Sequence, residues 1–112
     1  MTVDLSKKHC VPCEGGTKPF TKAKTKEYLK MTRDWELLDE KPMKIQRKFV
    51  FKNFMEVVNF VNKVARLAES ENHHPDLFIH NYKKLDITLS THAIRGLSSN
   101  DFIMAAKINQ LT

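Results

Sequence analysis

Three of the five histidines of this chain fall in two short segments that also carry carboxylates, amides and hydroxyls: Glu69-Ser70-Glu71-Asn72-His73-His74-Pro75 and Ser90-Thr91-His92. Imidazole is the one side chain whose ordinary pKa straddles neutral pH, so two or three histidines around one cleft can present a protonated donor beside a neutral acceptor. That is the equipment of proton transfer. Adjacent side chains diverge, so His73 and His74 can share a cleft only where the backbone is held, and Pro75 helps by restricting the residue before it to extended geometry. Each residue also has a plainer use: His73 and His74 suit a helix C-terminus, His92 a solvated strand end, and Asp101 a helix cap. Three histidines can hold zinc with water in the fourth position, but adjacent ligands are awkward and the usual ligand spacing along a helix is missing.

The elements that must position these residues follow from periodicity. Residues 1–19 read as an irregular arm, interrupted by Pro12, Gly15, Gly16 and Pro19, and the folded domain is expected over 20–112. Thr21 can cap a helix over 21–31 whose apolar residues are Ala23, Tyr28, Leu29 and Met31. A strand over 35–38, a turn over 39–42 and a strand over 43–51, with Met43, Ile45, Phe49 and Phe51 alternating with polar positions, make a hairpin. From Asn53 the period changes, and Phe54, Val57, Val58, Val61, Val64, Ala65 and Ala68 form a helical stripe flanked by Phe60 and Leu67. Pro75 ends that helix at 70–72. Strands are expected over 77–82 and 85–92, the second with Leu85, Ile87, Leu89 and Thr91 on one face and His92 on the polar one. After Gly96, Ser98 with Asp101 three residues on reads as a capping box for a last helix.

The order α-β-β-α-β-β-α predicts an α+β fold of two layers, a four-stranded antiparallel sheet with helices packed on one face.

The chain has 112 residues and a formal charge of +6, which invites a nucleic-acid reading. The charge sits in one place: residues 1–33 carry net +5, residues 34–70 net +1, and residues 71–112, which hold all three candidate histidines, are neutral. The lysines of the first third have almost no aromatic residues among them to stack on bases, so charge does not argue for nucleic acid as a partner. No membrane partner is expected either, since no apolar run reaches the length of a span and the N-terminus lacks a secretory signal; the expected compartment is the cytoplasm, with nuclear entry open. Cys10 and Cys13 are half of a four-cysteine zinc site, and the Glu14-Gly15-Gly16 turn after them does not suit a redox motif; an incidental or intermolecular role is expected.

The residues that could do chemistry also carry a resemblance. The run Glu69-Ser70-Glu71-Asn72-His73-His74-Pro75-Asp76, then Tyr82, then Ile87-Thr88-Leu89-Ser90-Thr91-His92, then Gly96-Leu97-Ser98 with Asp101, resembles the pterin-4a-carbinolamine dehydratase family over about residues 20–111. The resemblance implies a lyase that removes water from 4a-hydroxytetrahydropterin to give quinonoid dihydropterin, in tetrahydrobiopterin recycling, with no metal and no organic cofactor. It implies that His73, His74 and His92 are the acid/base and substrate-orienting set. It implies further that Asn72, Pro75, Ser90 and Thr91 line the pterin pocket, with Glu69 beside the histidines and Asp101 an acidic position near the site. A homodimer or homotetramer is implied too, and so is an alternative role, since some animal members stabilise dimers of a transcription factor as interaction proteins. Two departures bear on pocket shape: Asn72 and Leu77 stand where some members carry an acid and an aromatic residue, and the segment before Tyr82 is one residue longer than in the shorter animal-type members.

Overall fold

A computed structural model describes residues 4–11 and 17–112. Helix α1 (Lys22–Leu29) starts where the Thr21 hydroxyl accepts the Lys24 N–H at 3.2 Å. Strands β1 (Glu36–Leu38) and β2 (Lys44–Val50) form the first antiparallel hairpin. Helix α2 (Phe54–Glu71) is capped by Asn53, whose side chain accepts the Glu56 N–H at 2.9 Å. Strands β3 (Asp76–His80) and β4 (Lys84–Leu89) form the second hairpin, and α3 (Ser99–Gln110) closes the chain behind the predicted capping box of Ser98 and Asp101.

The sheet order is β1-β2-β4-β3, antiparallel throughout, which is the predicted four-stranded α+β architecture. Register sorts the strands into two faces. Ile45 pairs with Leu89 and Phe49 with Leu85, while Ile87 lies between Arg47 and Leu77. Ile45, Phe49, Leu85, Ile87 and Leu89 are all buried, in one cluster with Val57, Phe60, Val64 and Ala68 of α2 and Phe102, Met104, Ala105 and Ile108 of α3. Each fully buried Ile or Leu here contributes on the order of 1.5–3 kcal/mol relative to exposure. The other face, with Lys48, Val50 and Phe78, is exposed. Helices on one face and solvent on the other explain the strict alternation read in β4. Among the described residues, no helix is long and apolar enough to cross a membrane.

Four expectations change in detail. The second hairpin turns at Asn81 and Tyr82, both left-handed at φ 49° and 50°, so β3 ends at His80 and Tyr82 is a turn residue; two consecutive left-handed residues are the mark of a tight hairpin turn whose twist matches the strands. Strand β4 stops at Leu89, because Thr91 turns back to bridge Gly96, and His92 begins a 3-10 helix (His92–Ile94) instead of ending a strand. On α2 the buried line is Val57, Phe60, Val64 and Ala68, with Phe54 and Ala65 exposed, because Phe60 turns in to meet the rings of Phe49 and Phe51. On α1 it is Thr25, not Ala23, that is buried.

The packing does not respect a boundary at residue 20 either. Leu5, in a 3-10 helix (Leu5–Lys7), is 4% exposed and belongs to the same core as α3. Cys13 lies outside the described residues, so the cysteine pair is seen only at Cys10.

Candidate active site

Three chain junctions converge at one end of the sheet. Helix α2 stops at Asn72, which adopts the left-handed conformation at φ 52° that asparagine tolerates better than most residues, and its N–H and that of His73 both donate to the Ala68 carbonyl. The chain then leaves the helix through His73, His74 and Pro75 into β3. Beyond β4, the Thr91 N–H donates to the Gly96 carbonyl at 2.8 Å, which folds residues 92–95 over the strand end. The first turn of α3 completes the group. Between them lies a cavity of about 430 Å³, lined in part by Asn72, His73, His74, Pro75, Ser90, Thr91 and His92, a volume that suits a small bicyclic ligand.

One side of this cavity is built on a buried carboxylate. Asp101 has no solvent exposure, and it accepts the Thr91 hydroxyl at 2.8 Å, the Ser98 N–H at 3.0 Å and the ring of His73, Nε2 to Oδ1, at 2.8 Å. A buried carboxylate costs several kcal/mol unless its lone pairs are satisfied, and here three donors satisfy them. The bond places one hydrogen: a carboxylate that accepts from a hydroxyl and an amide also accepts from imidazole, so Nε2 carries a hydrogen, and in the neutral ring Nδ1 then holds the lone pair. The hydroxyls can be ordered in the same way. Thr91 donates its one hydrogen to Asp101, so it is Ser98 that donates to Thr91 at 2.8 Å, while the Ser98 oxygen accepts the Asn100 N–H. Ser90 donates to the carbonyls of Met43 and Gly96, both at 3.3 Å.

The other side is open. The His74 side chain is 55% exposed and its Nε2 bonds Glu69, which is 78% exposed. His92 stands exposed at the rim.

The remaining wall comes from the arm. Cys10 and Val11 line the cavity beside Glu71 and Asn100. The Cys10 N–H donates to Glu71 Oε1 at 2.8 Å, His9 Nδ1 bonds Glu71 Oε2 at 2.9 Å, and Lys107 Nζ lies 3.9 Å from the same carboxylate. Burial works to raise the Glu71 pKa, but the hydrogen bonds from Cys10 and His9 and the charge of Lys107 outweigh it and hold the group below the ordinary carboxylate value. Burial, with the charges of Glu71 and Asp101 close by, pushes the Cys10 thiol up to about 12, so it stays protonated and is no nucleophile at neutral pH. Among the described residues, no group of three or more His, Cys, Asp or Glu side chains is placed to hold a metal ion.

The sequence profile for pterin 4 alpha carbinolamine dehydratase matches residues 18–111, nearly the whole of this architecture. The chain belongs to the pterin-4a-carbinolamine dehydratase family. It is 45% identical over 112 residues to a protein of Legionella pneumophila (strain Lens), covering 99% of this chain and 97% of the relative, and 40% identical over 109 residues to one of Halorhodospira halophila, covering 97% and 98%. Both relatives are assigned as pterin-4-alpha-carbinolamine dehydratases. Among solved structures, a transcriptional coactivator/pterin dehydratase from Brucella melitensis superposes with a TM-score of 0.77 at 33% identity, over 84% of this chain and 98% of that one. A pterin dehydratase-like RuBisCO assembly factor of the alpha-carboxysome, at 22% identity and a TM-score of 0.60, shares the fold, over 70% of this chain and 89% of that one.

Within this family chain, seven of the nine residues singled out from sequence line the cavity: Asn72, His73, His74, Pro75, Ser90, Thr91 and His92. The other two stand outside the lining, each bonded to a histidine that is part of it. Asp101 is fully buried and reaches the cavity through His73 and Thr91, and Glu69 is outside the lining and touches His74. Ser90 and Thr91 direct their hydroxyl hydrogens at the backbone and at Asp101, which leaves only oxygen lone pairs for a ligand. Tyr82 sits in the β3–β4 turn, at the end of the hairpin away from Asp76 and the cavity. Glu71, Asn100, Cys10 and Val11 went unnoticed as wall residues. Their contacts join positions 61 to 90 apart in the chain, and no local pattern signals such a contact.

Proposed function

We propose that the chain dehydrates 4a-hydroxytetrahydropterin to quinonoid dihydropterin by histidine acid–base catalysis, in the recycling of tetrahydrobiopterin. The observation that carries this reading is the 2.8 Å bond between buried Asp101 and His73, in a cavity that His74 and His92 also line. The reaction breaks the C4a–O bond and the N5–H bond: the hydroxyl departs as water after receiving a proton, and the N5 proton passes to a base. His73, with Nε2–H held by Asp101, takes that proton at Nδ1, and the adjacent carboxylate stabilises the imidazolium that results. His74 and His92, nearer solvent, deliver the proton to the leaving hydroxyl and exchange it with water. Every atom and electron is accounted for within substrate and side chains.

The test is to add the protein to enzymatically generated 4a-hydroxytetrahydropterin and follow quinonoid dihydropterin. A rate clearly above the spontaneous one is expected, and a rate equal to it overturns the reading. Replacing His73 or His92 by Ala should cost on the order of 100-fold.

The exposed apolar group Val50, Phe54 and Met55 supports assembly into a homodimer or homotetramer. Sedimentation at micromolar concentration should give a species heavier than the monomer. The same surface would serve the second reading, an interaction protein that stabilises dimers of a transcription factor, a role that the likeness to the transcriptional coactivator/pterin dehydratase of Brucella melitensis suggests. Turnover in the dehydration assay favours the first reading. A cytoplasmic location fits a water-soluble pterin substrate.

A further inference from the structure

We propose that the docked N-terminal arm is a working wall of the pterin pocket, with Val11 as the side chain that covers the ligand and Glu71 and Asn100 as the residues that position it. The proposal rests on the dehydratase reading and adds binding residues to it.

The arm is held too firmly to be a loose tail. Leu5 is anchored in the core and the Ser6 carbonyl accepts Lys107 Nζ at 2.9 Å. At the other end, Glu71 receives the Cys10 N–H and the His9 ring. Asn100 then treats Val11 as a neighbouring strand would: its Oδ1 accepts the Val11 N–H at 3.0 Å and its Nδ2 donates to the Val11 carbonyl. Both positioning side chains are buried, Glu71 at 7% exposed and Asn100 at 3%. Undocking the arm would leave Glu71 beside Lys107 but would break both of its hydrogen bonds to Cys10 and His9, so those bonds favour the docked arm.

These two residues also belong to the segments that carry the chemistry. Glu71 is two residues before His73 and Asn100 one before Asp101, so the backbone that aligns the histidine–carboxylate pair also places the arm. What the arm presents is an aliphatic side chain, 62% exposed, on a cavity whose other walls mix the polar groups of the histidines, Ser90 and Thr91 with the small apolar surfaces of Pro75 and Ala93. A pterin has polar edges and apolar faces. Val11 offers the apolar contact that Ser90, Thr91 and His73 do not, and ligand binding would remove its methyl groups from water.

The experiment measures kcat and KM separately for the full chain and for Val11→Ala, Val11→Ile and Asn100→Ala, each checked by circular dichroism. Asn100→Ala should raise KM roughly ten-fold and Val11→Ala roughly three-fold, with kcat held within about two-fold, the signature of lost binding shared by ground and transition states. Val11→Ile, which retains an aliphatic contact, should raise KM by less than Val11→Ala does. Should Asn100→Ala fail to fold, the exposed Val11 position carries the test alone. An active parent whose Val11→Ala variant keeps its KM overturns the arm's role and leaves the dehydratase reading standing. A parent with no turnover above the spontaneous rate overturns that reading, and the arm's role with it.

Discussion

His73 and His74 are neighbours in sequence and each is bonded to a carboxylate, yet the two pairs live in different physical settings. In the first, Asp101 is fully buried and His73 is 12% exposed; in the second, Glu69 is 78% and His74 55% exposed. A hydrogen-bonded ion pair or dipole in a desolvated wall acts at low dielectric and holds one geometry, whereas an exposed pair is screened by water and salt and is worth about 0.2–1 kcal/mol. The buried pair therefore holds one orientation, and the exposed pair stays in contact with solvent, where its proton can exchange. On the proposed dehydration the two settings divide the work, because a base must be aimed and an acid must be refilled. A third pair mixes the two settings: Glu71 is buried while its partner His9 is 79% exposed, and it holds the arm.

The largest expected effect is on the buried side. His73→Ala should lower kcat on the order of 100-fold or more, against about ten-fold for His74→Ala, in the same turnover assay; equal losses would erase the distinction between the two pairs. Asp101→Asn should come next, with kcat down about ten-fold and a changed pH–rate profile, since an amide still accepts from Thr91 or Ser98 but stabilises no imidazolium. Chemical denaturation should also find this variant about 1–3 kcal/mol less stable, because it disturbs a buried network.

Glu71 tests the mixed pair through pH. Its carboxylate lies below the ordinary value in the folded protein, so its stabilisation is complete above the unfolded value of roughly 4.3 and is lost as pH falls through the lower folded one. Urea midpoints measured from pH 7 to pH 3 should therefore fall less steeply for Glu71→Gln than for the parent below about pH 4.3. The smallest effect belongs to the exposed pair: Glu69→Gln should change kcat by less than about three-fold, and even that difference should shrink in high salt. A salt-insensitive loss as large as that of Asp101→Asn would mean the open side is not open during catalysis.

Much of this was legible beforehand because it depends on local rules. The caps at Thr21 and Ser98 and the alternation of Leu85, Ile87 and Leu89 each depend on residues a few positions apart, so the sequence specified the elements and their order. The strand ends were less legible. Nothing in the composition of residues 81–82 or 90–92 announces that two left-handed residues will shorten β3 or that a Thr91–Gly96 bridge will turn β4 back.

By itself, then, the sequence determined the α+β order, the apolar face of the sheet and a set of histidines suited to proton transfer, since helical and strand periods and side-chain chemistry are properties of short segments. Only the tertiary structure decided which histidine is held in a buried bond and which stands open to solvent, because burial is a property of the assembled fold. Asp101 looks like a helix cap in sequence and is one; it also becomes a partner of His73 because α3 starts against the end of α2, 28 residues away along the chain. The arm makes the same point. Its charge and broken periodicity read as a tail, and it is the burial of Leu5 and the reach of Glu71 and Asn100 across the fold that make it part of the pocket.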